Sequence, residues 1–261
     1  MIIAGADFQS GQSPVRGSAR ILGAMAFTRS RRWLRGLLVT VAVLAVLAVA
    51  GPFVYIHFFS GRTPAPLSLS PSGTPSTTSS AASEVTGPVT GTWAVGSGST
   101  VEYRVHEVLL GQNTTAVGRT GTISGHLTIT GTTVTAAAFS VPMDTIHSDK
   151  SARDAQFDGP IMDVAKYPTG TFTLTSPIDL APLPASGVIR DYTAHGNLTL
   201  HGTTRAVTFT LTAELTDGHI EVAGDIPVLF ADYNIANPSF AGFVTTQDHG
   251  LLEFLLVFTR A

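Results

Sequence analysis

The feature that most constrains the fold of this chain is a two-residue alternation of apolar and polar side chains that begins after about residue 90. The segment 207–215 is the clearest case, with Val, Phe, Leu, Ala and Leu on one face and three Thr and one Glu on the other. Such alternation is typical of a half-buried antiparallel strand. It predicts that the second part of the chain is an all-β domain.

Similar segments, separated by turns that contain Gly and Asp, recur along the rest of the chain. They predict about eight strands, near residues 93–105, 123–129, 134–143, 169–176, 193–200, 207–215, 219–229 and 251–259. Because closure removes the exposed edges of a sheet, we expect a sandwich or a barrel. The charged segment 148–164 breaks the alternation and predicts a short helix with a loop over one end of the barrel.

The N-terminal part has a different character. Residues 36–59 contain no Asp, Glu, Lys or Arg, and about 20 such residues suffice to cross a bilayer as a helix. Residues 1–35 carry six Arg against one acid. The positive-inside rule therefore predicts a basic cytoplasmic segment (1–35), a transmembrane signal anchor (36–59) and an extracytoplasmic β-domain. A cleaved signal peptide is the alternative, because Ala48-Val49-Ala50 has the small-x-small form that signal peptidases accept.

Between the anchor and the β-domain, residues 60–90 contain 19 Ser, Thr or Pro among 31 residues. This composition offers too little apolar surface to offset the entropy lost when the chain is ordered. It predicts a disordered, solvated linker that holds the domain away from the membrane.

Composition and motifs exclude several functions. The chain has no Cys, so it has no disulfide, thiolate metal site or Cys nucleophile. Residues 89–261 carry 8 Lys or Arg against 16 Asp or Glu, a net charge of −8, which does not favour nucleic acid. No common catalytic or metal-binding motif is present. We expect no enzyme, metal or cofactor; the enzyme alternative is a hydrolase that uses His201 or the carboxylates of Asp154, Asp158 and Asp163.

Three stretches in the β-domain resemble the motifs of a known family, the YceI-like domain family. The matching residues are Arg153-Asp154, Phe157, 163–168 (DVAKYP) and Phe172; then 197–205 (NLTLHGTTR); then 232–235 (DYNI) and Asp248. The pattern departs from the family at Gln156, Ile161-Met162, Phe230, Ala231 and Asn234.

This resemblance covers about residues 92–260. It implies that residues 91–261 form an extracytoplasmic, eight-stranded, lipocalin-like antiparallel β-barrel that binds a polyisoprenoid chain. The motif residues could define the fold or contact the ligand, and both roles stay open; they are Arg153, Asp154, Asp163, Tyr167, Pro168, His201, Gly202 and Asp232.

We expect the ligand to be a long apolar lipid, isoprenoid-like as the resemblance implies, because burial of apolar surface provides affinity without a catalytic group. The alternation places a set of large apolar side chains on the inner face. The candidates are Phe139, Met143, Phe157, Phe172, Phe209, Leu211, Phe254 and Phe258. In the alternative, the barrel is packed solid and the domain is a non-catalytic structural module that docks an envelope protein.

Overall fold

The structure is a computed structural model that describes residues 27–54, 63–69, 89–109, 111–216, 218–239 and 244–261. Two units are distinguished, residues 1–56 and 57–261. The helix α1 (Phe27–Val54) belongs to the first unit, and all the strands belong to the second. The parts of the sequence predictions that concern residues 1–26, 55–62 and 70–88 lie outside the described residues.

The described part of the second unit forms one antiparallel sheet of thirteen strands. They are β1 (Gly91–Val95), β2 (Thr100–Leu109), β3 (Gln112–Thr120), β4 (Ser124–Thr130), β5 (Thr133–Pro142), β6 (His147–Ser148), β7 (Thr169–Leu174), β8 (Ile178–Asp179), β9 (Arg190–Leu200), β10 (Thr203–Thr216), β11 (His219–Leu229), β12 (Val244–Thr246) and β13 (His249–Arg260).

The sheet closes on itself through its last strand. One edge of β13 pairs with β11, and the other edge pairs with β2 along its first half and with β1 along its second half. The order around the ring then runs from β1 through β4, β5, β7, β9, β10 and β11 back to β13. The predicted eight-stranded antiparallel barrel is confirmed, and closure gives each of the eight strands of this ring a partner on both sides.

At two places around the ring, two strands lie end to end and together occupy the place of one long strand. β1 and β2 lie along the same edge of β13, and their partners β4 and β3 likewise succeed each other. The sequence prediction treated β1 and β2 as one strand, but it missed β3 entirely. The reason is the polar run Asn113-Thr114-Thr115, which pairs with β2 all the same.

One end of the barrel carries the helical elements, and we call it the α2 end. The segment between β5 and β7 holds α2 (Ser151–Gln156) and a π-helical turn (Phe157–Ile161), where the sequence predicts a helix with a loop. The β9–β10 hairpin and the connection from β11 to β13 lie at the same end, because β9 pairs with the start of β7 and β11 ends opposite the start of β13.

Residues 63–69 lie against the outer wall of the barrel. The Arg104 guanidinium donates to the Pro64 carbonyl at 3.2 Å, and Arg119 Nη2 donates to the Ala65 carbonyl at 2.7 Å. The Leu67 N–H donates to Glu253 Oε2 at 3.2 Å. The composition predicts a solvated linker here, and residues 63–66 and 68 are exposed, but three backbone groups of this segment also form hydrogen bonds with charged side chains of the barrel. We call residues 63–69 the strap.

The barrel domain also begins slightly earlier than the predicted residue 91. Val89 is buried, and its carbonyl accepts a hydrogen bond from Trp93 Nε1 at 2.9 Å.

In the first unit, α1 is 28 residues long, and the side chains described within it, Trp33 and residues 35–47, are all exposed. By length and hydropathy together, no helix in the described part of the chain qualifies as a bilayer span. The predicted anchor 36–59 runs beyond that part at residues 55–59. The anchor stays a prediction from the sequence.

Candidate functional site

The barrel encloses a cavity of about 890 Å³, within the usual range for ligand sites. Its wall is built from the inward-facing residues of β2 and of every strand in the ring except β1, and it is overwhelmingly apolar. The eight side chains that the alternation placed on the inner face all line it, namely Phe139, Met143, Phe157, Phe172, Phe209, Leu211, Phe254 and Phe258. Whether they contact a ligand stays a prediction.

Five aromatic rings form a belt around this cavity. The ring centroid of Phe139 lies 6.3 Å from that of Phe172 and 5.7 Å from that of Phe258. Phe209 continues the belt, 5.6 Å from Phe172 and 5.8 Å from Phe254, with both contacts edge to face. These separations are those of favourable aromatic pairs, so the rings hold one another in place along the wall.

Glycines in the strands allow two of these rings to lie flat against the wall. A Cβ atom on Gly196 of β9 would lie 2.3 Å from the Phe172 ring, and one on Gly224 of β11 would lie 2.8 Å from the Phe254 ring. No side chain could occupy either position with the ring where it is. The missing Cβ atoms therefore leave the centre of the barrel open despite its large aromatic residues.

One group of polar side chains in the cavity wall lies at the α2 end, while Tyr192 and the buried Glu214 line the opposite end. Arg153 of α2 lies 3.5 Å from Glu107 Oε1 on β2 and also pairs with Asp149. Tyr103 stacks on Phe157 nearby, with ring centroids 5.0 Å apart. Burial raises the pKa of Tyr103 to about 12, so the hydroxyl is protonated at neutral pH.

The family-motif residues at the β9–β10 hairpin hold the α2 end together. His201 has φ of +48°, its Nδ1 is 3.2 Å from the Tyr233 carbonyl, and its ring meets the Tyr167 ring edge to face at 4.5 Å. Gly202, at φ +71°, lies against the same Tyr167 ring, where a Cβ would come within 2.4 Å. These contacts join three connections of the barrel, and none of them faces the cavity.

The remaining motif residues also make local contacts. Asp154 and Arg153 do not pair with each other; Asp154 Oδ1 instead accepts from the Ser148 N–H and hydroxyl at 2.8 and 2.6 Å. The Asp163 carbonyl accepts from the Lys166 and Tyr167 amides in the segment that follows the π-helical turn. The Pro168 carbonyl accepts from the Met143 amide, and the Asp232 carbonyl accepts from Arg205 Nε. Of the eight motif residues, only Arg153 lines the cavity.

No group of three or more His, Asp or Glu side chains is placed to hold a metal ion within the described ranges. The catalytic candidates of the enzyme alternative do not converge either. His201 is held in the hairpin turn, and Asp154 is held by Ser148.

Comparison with known proteins agrees with this architecture. The family model of the YceI-like domain matches residues 93–258, which is the barrel from its first strand to its last. The chain belongs to the YceI-like domain family. No curated protein sequence matches it.

Solved structures share the fold of this YceI-like domain. A polyisoprenoid binding domain from Saccharophagus degradans, implicated in plant cell wall breakdown, is 15% identical with a TM-score of 0.53, over 66% of this chain and 99% of that one. BcnA of Burkholderia cenocepacia is 19% identical with a TM-score of 0.50, over 62% of this chain and 98% of that one. At these identities the likeness establishes the fold alone.

Proposed function

We propose that this YceI-like domain binds one long, apolar, isoprenoid-like lipid inside its barrel, and that it does so outside the cytoplasm while tethered to a membrane. The observation that carries the proposal is the apolar cavity of about 890 Å³. A tightly packed barrel would have no such space, because protein interiors are normally filled to the density of organic crystals.

The character of the cavity supports a chain-like ligand. An alkyl or isoprenoid chain gains roughly 25 cal/mol for each Å² of apolar surface that it buries, so its length alone can provide affinity. The aromatic belt offers flat apolar surfaces at several levels of the barrel. The polyisoprenoid binding of the Saccharophagus degradans domain, which has the same fold, is consistent with this class of ligand.

A binding role without catalysis fits the described side chains better than a hydrolase. Of the four candidate acid and base groups, Asp154 and His201 are engaged in contacts that stabilise the α2 end, whereas Asp158 Oδ1 is buried without a hydrogen-bond partner among the described residues. A general base must reach the proton that it removes, and none of the four, Asp163 included, lines the cavity.

Support for the tether comes from the sequence. Residues 36–59 carry no formal charge and follow six Arg residues, an arrangement typical of a single-pass segment with its N-terminus in the cytoplasm. A domain held in this way would meet lipids at the outer face of the membrane.

Lipid extraction tests the proposed function. The full chain is purified in mild detergent and extracted with organic solvent, and the extract is analysed by mass spectrometry. We expect a long apolar lipid in a molar ratio near one, competed away by added isoprenoid. Recovery of no lipid, together with no uptake of added isoprenoid, would favour the structural or interaction module instead.

Two neighbouring alanines on β5 provide a matched pair of variants. Ala137 lines the cavity, whereas Ala138 pairs with the exposed residues His126 and Thr173 on the outer face. We expect Ala137→Phe to reduce the amount of bound lipid strongly and Ala138→Phe to leave it unchanged. Thermal unfolding of both variants verifies folding, and Ala137→Leu serves as a milder replacement if Ala137→Phe does not fold.

A further inference from the structure

One hydroxyl group in the cavity wall has no hydrogen-bond partner among the described residues, that of Thr246 on β12. Thr246 is only 7% exposed and lines the cavity. Its backbone is held on both sides, because its N–H donates to Ser239 Oγ at 2.9 Å and its carbonyl accepts from Asn237 Nδ2 at 3.3 Å. The side-chain oxygen alone is left unpaired.

An unpaired buried hydroxyl is unusual, since burial without a hydrogen bond loses the favourable interaction with water. A valine has the same shape and would fill the same space at no such cost. A hydroxyl here is favourable if another molecule supplies the missing partner. A ligand in the cavity can do so, because Thr246 reaches it from the wall.

We propose that Thr246 Oγ1 binds the polar head group of the lipid, and that this head group is neutral, a hydroxyl or a carbonyl. The inference rests on the proposed function and gives the ligand a direction in the barrel. The head lies at the α2 end. The tail runs toward the opposite end of the cavity, where Leu180, Leu183 and Leu215 provide apolar surface beside the polar side chains of Tyr192 and Glu214.

The charges around Thr246 argue for a neutral head group. Arg153 is the one cationic side chain among the described residues that line the cavity, and it is already paired with Glu107 and Asp149. Glu107 is the direct cross-strand neighbour of Thr246, so their Cβ atoms are about 5 Å apart. A phosphate beside Thr246 would meet that carboxylate without an unpaired cation to offset it, whereas a hydroxyl or carbonyl oxygen would not be repelled.

The test compares three ligands that share one carbon skeleton, namely geranylgeraniol, geranylgeranyl monophosphate and the corresponding hydrocarbon. Their dissociation constants are measured on the delipidated full chain and on two variants. Thr246→Val removes the unpaired hydroxyl without changing its shape. Thr245→Val is the matched control, because Thr245 is the exposed neighbour on the same strand.

We expect the wild-type chain to bind the alcohol more tightly than the monophosphate. Thr246→Val should weaken binding of the alcohol roughly five- to tenfold, the effect of one neutral hydrogen bond, and leave binding of the hydrocarbon unchanged. Thr245→Val should leave the binding of both the alcohol and the hydrocarbon unchanged. Because the hydroxyl has no hydrogen-bond partner among the described residues, Thr246→Val should unfold at the wild-type temperature or above it.

Each of three possible results would contradict a different claim, so the claims can be tested separately. Equal affinity of wild type and Thr246→Val for the alcohol would remove the head-group site while leaving the lipid-binding barrel intact. Binding of the monophosphate as tight as that of the alcohol would overturn the neutral head group. Binding of none of the three ligands by the wild-type chain would instead count against the proposed function itself.

Discussion

Glu102 of β2 and Glu253 of β13 are directly opposite each other on the outer wall of the barrel, and both side chains are almost completely buried. Arg104 bridges them, with Nη2 2.5 Å from Glu102 Oε1 and Nε 2.9 Å from Glu253 Oε1. Arg119 pairs with the second oxygen of Glu102. The strap contacts Glu253, Arg104 and Arg119, so the two buried carboxylates are balanced by the buried Arg104 and by the partly exposed Arg119.

The two facing carboxylates differ in their affinity for protons. Burial raises the pKa of Glu102. At Glu253 burial acts in the same direction, but hydrogen bonds with Glu102, with Arg104 and with the Leu67 amide outweigh it and lower the pKa. The strap thus takes part in keeping Glu253 ionised.

Arg104 is expected to be the most critical member of this cluster. Arg104→Met leaves two buried carboxylates facing each other, and the loss of one partner from a buried ion pair typically costs about 3–5 kcal/mol. Urea unfolding of the full chain measures this change. Arg119→Met is the matched control with a smaller expected effect, because Arg119 is about one third exposed. If Glu102→Gln and Glu253→Gln restore the stability of Arg104→Met, the unpaired carboxylates are the cause of its loss. A decrease in the free energy of unfolding below about 1 kcal/mol in Arg104→Met would contradict this explanation.

The strap is expected to stabilise the barrel through its backbone. Leu67→Pro removes the N–H that donates to the Glu253 carboxylate, and a hydrogen bond to a charged group contributes about 1.5–3 kcal/mol. Leu67→Ala retains the N–H and is the matched control. Hydrogen exchange of residues 63–69 should be slow in the wild type and in Leu67→Ala and fast in Leu67→Pro. Equally fast exchange in all three would show that the strap is not docked in solution.

Local sequence predicted much of the barrel, because alternation is a local signal of a wall with one apolar face. β10 and β11 follow it over most of their length. β3 does not follow this alternation. It is a strand because it pairs with β2, and its own side chains do not indicate one. The strap could not be predicted for a similar reason. Its Pro and Ser residues indicate a solvated chain, and its docking depends on Arg104 and Arg119, which are distant in sequence.

The cavity also combines features that local sequence predicts with features that depend on residues distant in sequence. The inward direction of Phe172 and Phe254 follows from alternation within one strand. The openness of the cavity does not, because it requires Gly196 and Gly224 to lie under these rings on the adjacent strands, and register between strands is not a local property. Glycines at inward positions of predicted strands are the sequence signal that could have indicated an open cavity.

Tyr103 should make the barrel sensitive to alkaline pH. Burial raises its pKa in the folded state to about 12, above the ordinary value of 10.0. Between these values the unfolded chain releases the proton and the folded chain keeps it, so the free energy of unfolding falls as pH rises, by about 2–3 kcal/mol at most. Unfolding at several pH values measures the difference between wild type and Tyr103→Phe. A difference that does not change between pH 10 and pH 12 would contradict the assignment.

Gly196 offers the most direct test of how the cavity is kept open. In Gly196→Ala the new Cβ would lie 2.3 Å from the Phe172 ring and 2.8 Å from the Thr173 carbonyl oxygen, so the ring has to move toward the centre of the barrel. We expect a stability loss of about 1–3 kcal/mol and roughly tenfold weaker binding of an isoprenoid lipid.

Adding Phe172→Ala to Gly196→Ala removes the displaced ring and should restore lipid binding. Gly159→Ala is the control, because no atom lies within 4 Å of its added Cβ. Unchanged lipid binding in Gly196→Ala would mean that the ring does not control access to the cavity.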